Sequence, residues 1–89
     1  MTNRSDEWQK MLDDFLVKIY EKSGEGITYV AREDIASDLG LTEIQQNNIV
    51  KELEERDYVA TGEIVGTKIR LTDYGRHYVL GLELDKHEF

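Results

Sequence analysis

The run "TEIQQNNIVKELEERDYV", residues 42–59, decides how the chain is read. It has the marks of a helix over about 42–56. Thr42 is a good N-cap, and Gln45 three residues on completes a capping box. Ile49, Val50 and Leu53 form a buried stripe, joined by Ile44 or Gln46. The early part of this helix carries four consecutive amides, Gln45, Gln46, Asn47 and Asn48. Asn is a mediocre helix former, because its side chain competes for nearby backbone groups. Amides at such positions are explained best if something outside the chain reads them.

Upstream lies "REDIASDLG" (32–40), a short helix with Ile35, Ala36 and Leu39 on one side and Gly40 as its stop. Only "GL" separates it from the helix at 42, which forces a sharp angle between the two. "ITYV" (27–30) is β-branched and aromatic, a candidate for one strand pairing. Before it, Trp8, Met11, Leu12, Phe15, Leu16, Ile19 and Tyr20 recur at helical spacing. They predict an amphipathic helix over about 6–22, with Ser5 or Asp6 as cap and "KSGEG" as terminator. Downstream, "DYVATGEIVGTKIRLT" (57–72) switches to period two. Strands at 58–60 and 68–71 flank a turn permitted by Gly62 and Gly66. Ile69 and Leu71 fall on one face, Lys68 and Arg70 on the other. Thr72 caps a last helix, "DYGRHYVLGLELD", in which Gly75 and Gly81 each weaken the helix by roughly 1 kcal/mol against Ala. The tail "DKHEF" is expected to fray. The fold class is therefore α+β, mostly helical, in a single domain over 1–89 with its core at about 6–84.

A chain of 89 residues buries only about 60–65% of its unfolded surface, so the core must be efficient. It has no cysteine, which excludes disulfides and cysteine-based sites and fits a reducing cytoplasm. No apolar run approaches the roughly 20 residues that cross a bilayer. The start "MTNRSDEWQK" holds no signal-peptide core. The expected setting is soluble and cytoplasmic, with no membrane partner. The formal net charge is −8. That opposes phosphate binding in general, since nucleic-acid affinity comes from counterions released by Lys and Arg. Charge acts locally, however. Residues 58–72 hold one acid, Glu63, and two bases, Lys68 and Arg70, and are net positive. The segments 1–41, 42–57 and 73–89 are all net negative.

Three pieces carry a family resemblance: "IASDLGLT" leading into a helix, "KELEERDYV" turning into a strand, and "IRLTDYGR" passing from a strand into the final helix. In this order, across about residues 27–80, they resemble a winged helix-turn-helix domain. They are similar to small prokaryotic transcriptional regulators of the multiple-antibiotic-resistance and arsenical-repressor type. The resemblance implies that the second helix of the turn motif enters a DNA major groove by its N-terminal half. Carried over by position, its outward residues are Glu43, Gln45, Asn47, Asn48 and Lys51. Base readout then falls to Gln45, Asn47 and Asn48, whose amides can pair bidentately with adenine. Backbone contacts fall to Arg32, Thr42, Lys51, Thr67, Lys68 and Arg70, with Thr42 offering its hydroxyl and backbone N–H. The chain departs from the family pattern at Glu43, at Gln46 where an aliphatic is usual, and at Asp57 where a glycine-like residue is usual.

Each assignment has a plainer counterpart. The amides fit an ordinary solvated helix face, and Lys68 and Arg70 a charged edge strand that discourages aggregation. Trp8, Phe15, Tyr20 and Tyr58 read as core. His77 and His87 make no recognised metal spacing, no nucleophile–base pair or phosphate loop is visible, and no cofactor or catalytic role is expected. The last helix carries more apolar residues than one face needs. Val79, Leu80, Leu82 and Leu84 therefore predict a homodimer interface, which would place two reading helices about 34 Å apart on double-stranded DNA. The leading expectation is a sequence-specific transcriptional regulator. The alternative is an acidic winged-helix interaction module that meets a basic protein partner without touching DNA.

Overall fold

The structure, a computed structural model, describes residues 4–24, 28–62 and 67–86, with the side chains of 6–24, 28–62 and 67–82. Among these are four helices and a three-stranded antiparallel sheet. The order is α1 (Arg4–Ser23), β1 (Val30–Ala31), α2 (Arg32–Leu39), α3 (Glu43–Glu55), β2 (Val59–Thr61), β3 (Lys68–Leu71) and α4 (Asp73–Lys86). β3 lies between β1 and β2. Val30 stands opposite Ile69, and Val59 opposite Leu71.

Helix α1 forms where the apolar spacing requires it. Leu12, Phe15, Leu16 and Ile19 are fully buried, with Trp8, Met11 and Tyr20 packed at the edge. Against this stripe lie Ile35 of α2, Ile49, Val50 and Leu53 of α3, Val59, Ile69 and Leu71 of the sheet, and Val79 of α4. One core thus joins every helix to the inner face of the sheet, and its burial is the main stabilising term.

The helix ends are chemically specified. α2 stops at Gly40, whose φ of 69° is left-handed. The Gly40 N–H donates to the Ser37 carbonyl (3.1 Å) and the Leu41 N–H to the Ala36 carbonyl (2.9 Å), a Schellman closure. α3 stops the same way, but with Asp57 at φ 63° in the glycine position. There the Asp57 N–H donates to Glu54 and the Tyr58 N–H to Leu53. α3 begins with the expected capping box. The Gln45 N–H donates to Thr42 Oγ1 (3.1 Å), and the Thr42 N–H donates to Gln45 Oε1 (2.9 Å). Thr72 caps α4 by accepting from the Gly75 N–H (3.0 Å).

Several expectations need correction. The first strand is shorter and later than 27–30: pairing is confined to Val30 and Ala31, because the chain turns at once into α2. Ile27 lies outside the described residues, as do Glu63–Gly66 of the expected turn and the tail from His87. Helix α4 runs past Asp85 to Lys86 rather than fraying there. The choice left open in α3 is settled: Gln46 is buried at 7% exposure, while Ile44 is 74% exposed. Gln46 precedes Ile49, Val50 and Leu53 by three, four and seven residues and so shares their face; Ile44 lies two residues, about 200°, away from it. Val79 faces the protein's own core at 0% exposure and is withdrawn from the dimer set. Leu80 is exposed and Leu82 half-buried, while the Leu84 side chain lies outside those described.

Candidate nucleic-acid interface

Helix α3 sets the site. With Gln46, Ile49, Val50 and Leu53 turned inward, Ile44, Asn48, Lys51 and Glu55 run along the middle of the outer face at helical spacing. Gln45 and Asn47 flank this line. All six are exposed. The face is divided along its length. Its first half is amide and aliphatic, with one acid, Glu43. Its second half gathers Glu52, Glu54 and Glu55.

Two of the three amides are already engaged. Gln45 Oε1 is held by the capping box. Asn47 Oδ1 accepts from the Arg32 guanidinium at 2.6 Å. Asn48 makes no side-chain hydrogen bond among the described residues. Thr42 is likewise committed, because its backbone N–H is spent on Gln45 and cannot meet a phosphate while the cap holds. The sequence contained both uses of Thr42 and Gln45, and local capping takes precedence because its geometry is intrahelical.

Arg32 ties three elements together. Its guanidinium reaches Asn47 on α3, and its N–H donates to the Thr67 carbonyl at 2.9 Å. Thr67 precedes Lys68, which stands opposite Ala31 on the exposed face of the sheet. Arg70, two residues further on the same face, lies over the Tyr29 ring at 5.6 Å and donates to the Leu71 carbonyl. Lys51 sits four residues from Asn47 on α3. Arg32 thus touches the amide half of the helix, Lys51 lies one turn beyond Asn47, and Lys68 and Arg70 follow Thr67 along the exposed face of the sheet.

The cations elsewhere are differently placed. Lys10 pairs with Asp14, Lys18 with Glu21, Lys22 with Asp38, Arg56 with Glu52, and Arg76 with Asp73. In the Lys22–Asp38 pair the hydrogen bond raises the ammonium pKa and lowers that of the carboxyl. Arg32, Lys51, Lys68 and Arg70 have no described carboxylate within ion-pair distance, although the chain holds 19 acids. Compared with protein-family models, curated proteins and solved structures, the chain finds no match.

Beside this face an open depression of about 380 Å³ is lined by Trp8, Asn48, Lys51, Glu52 and Glu55. Among the described residues no three His, Asp or Glu side chains gather as metal ligands, and no helix is long and apolar enough to cross a membrane. Ile44, which the sequence offered as the alternative to Gln46 in the buried stripe, stands on the outer face. The signal that places it outside is Gln46: once the amide is accepted as buried, the rotation of the helix follows.

Proposed function

We propose that this protein is a winged helix-turn-helix regulator that binds double-stranded DNA through α3 and the exposed face of β3. One observation carries the reading. Among the described cations, the four with no carboxylate partner are Arg32 against Asn47, Lys51 on the outer face of α3, and Lys68 and Arg70 on the exposed face of β3, while the other five are ion-paired. An acid-rich chain leaves cations unpaired at a cost, and a phosphate backbone offsets that cost. Asn48 offers a free amide to a base edge, and Ile44 offers apolar contact to a thymine methyl group. Arg32, Lys51, Lys68 and Arg70 contact phosphates on either side. Regulation follows from occupancy in the cytoplasm. A homodimer built on the exposed part of α4, with Leu80 and Leu82, would present two such helices.

Selection from a random duplex library tests this, with sedimentation reporting the oligomer. A recurring motif is expected, and it should weaken when Asn48 is changed to Ala. Replacing Lys51, Lys68 and Arg70 together by Ala should abolish binding to all duplexes alike. Retention of wild-type affinity by that triple variant would remove the proposal.

The second reading rests on the other half of the same helix. Glu52, Glu54 and Glu55 form an acidic end suited to a basic protein. It is favoured if no duplex is enriched and substitution of these three acids by Gln breaks a protein complex.

A further inference from the structure

The open depression of about 380 Å³ is lined by Trp8 from the start of α1 and by Asn48, Lys51, Glu52 and Glu55 from the outer side of α3. We propose that it binds an α-amino acid with an apolar side chain, and that this ligand releases DNA. The release rests on the DNA-binding reading above; the binding site does not.

The lining has two separate charged poles. Asn48, Lys51, Glu52 and Glu55 recur at i, i+3, i+4 and i+7, so one stripe of α3 forms the wall. Glu52 is already compensated, because Arg56 Nε donates to it at 2.7 Å. Lys51 and Glu55 stand one turn apart, a spacing at which opposite charges can pair. Neither has an ion-pair or hydrogen-bond partner among the described residues. Lysine ahead of glutamate is the weaker order for such a pair, which leaves both charges open to a ligand. The Asn48 amide adds a donor without a described partner. Trp8, half-buried and packed against the core, adds an aromatic surface.

A ligand with a single charge suits only half of this lining. A bare cation meets the like charge of Lys51, and a bare anion that of Glu55. A zwitterion satisfies both poles. Its carboxylate accepts from the Lys51 ammonium and the Asn48 NH2, its ammonium donates to the Glu55 carboxylate, and its side chain covers the Trp8 ring. The volume falls within the range of small-molecule clefts, about 300–1,000 Å³. Asn48 and Lys51 are the groups assigned above to a base and a phosphate, so an occupied depression and a bound duplex exclude each other.

Trp8 is the only tryptophan, and its emission therefore reports on the depression directly. L-Leucine is titrated beside leucinamide, which lacks the carboxylate, and isocaproate, which lacks the ammonium. Calorimetry gives the affinities, and thermal melting checks the folding of variants. Leucine should bind at least about tenfold more tightly than either analogue. Lys51→Met should erase the preference over leucinamide, and Glu55→Gln the preference over isocaproate. Leucine should also displace a duplex recovered by selection.

No leucine binding up to about 10 mM, or variants that keep both preferences, would overturn the site and leave DNA binding intact. Leucine and duplex held at the same time would overturn the release. If no duplex is recovered, the release falls with the DNA-binding reading, and the leucine titrations alone decide the site.

Discussion

Asp57 occupies a left-handed position, φ 63°, that costs an L-residue free energy and a glycine almost none. The closures that end α2 and α3 have the same two hydrogen bonds, yet one uses Gly40 and the other Asp57. Asp57→Gly should raise stability by about 0.5–1 kcal/mol in urea melts, because the bonds there are all to backbone atoms. The two glycines of α4 behave oppositely. At Gly81 an added methyl meets nothing within 4 Å, so Gly81→Ala should stabilise by about 0.5–1 kcal/mol. At Gly75 it would land on the Tyr58 carbonyl oxygen. Gly75→Ala should therefore destabilise by at least about 2 kcal/mol, since backbone must move. Helix propensity predicts the same gain at both sites. The difference is a tertiary approach that propensity does not contain.

At the scale of elements, α4 is fastened at its start. Thr72 Oγ1 accepts from the Gly75 N–H and donates to the Asp57 carbonyl at 2.7 Å, while its own N–H donates to Tyr58. Thr72→Ala should cost about 1–2 kcal/mol by chemical denaturation, with Thr72→Ser recovering most of it. Further along, the Tyr78 hydroxyl donates to Asp13 Oδ1 at 2.7 Å, and its ring stacks on Tyr58 at 4.7 Å. Burial, followed by the Asp13 hydrogen bond, pushes its pKa from 10.0 up to about 12. The folded chain therefore keeps a proton that the unfolded chain loses above pH 10. This contribution is complete below pH 10 and disappears as pH climbs toward 12. Melting temperature should fall across that window, and less so in Tyr78→Phe. The elements themselves were largely legible. The stripe on α1, the capping box of α3 and the alternation of β3 are local periodicities. The rotation of α3 was not, because an amide in the core contradicts the usual sorting of polar from apolar. The shared burden on Gln45 and Thr42 was not legible either, since sequence lists what a side chain can do and packing decides which use is taken.

For the whole molecule, formal charge is a poor guide to where charge acts. The sum is −8, yet the described cations without a carboxylate partner are confined to Arg32 at the start of α2, Lys51 on α3, and Lys68 and Arg70 on β3. If all four meet phosphates, log K should fall against log salt with a slope of about −3.6 per chain, and each single replacement by Ala should flatten it by about 0.9. A slope near zero would mean that duplex DNA is not the partner. Binding measured at one ionic strength would miss this distinction.

Arg32 reaches α3 with its side chain and the sheet with its backbone. On the proposed reading, the lateral offset between the bases examined and the phosphates gripped is then held by Arg32 at the surface and by the shared core beneath it. Inserting a single base pair between those two parts of an operator shifts them by about 3.4 Å. Ile49, Val50 and Leu53 of α3 pack in one core with Ile69 and Leu71 of β3, so the two grips move as one and such an operator should bind as poorly as random sequence.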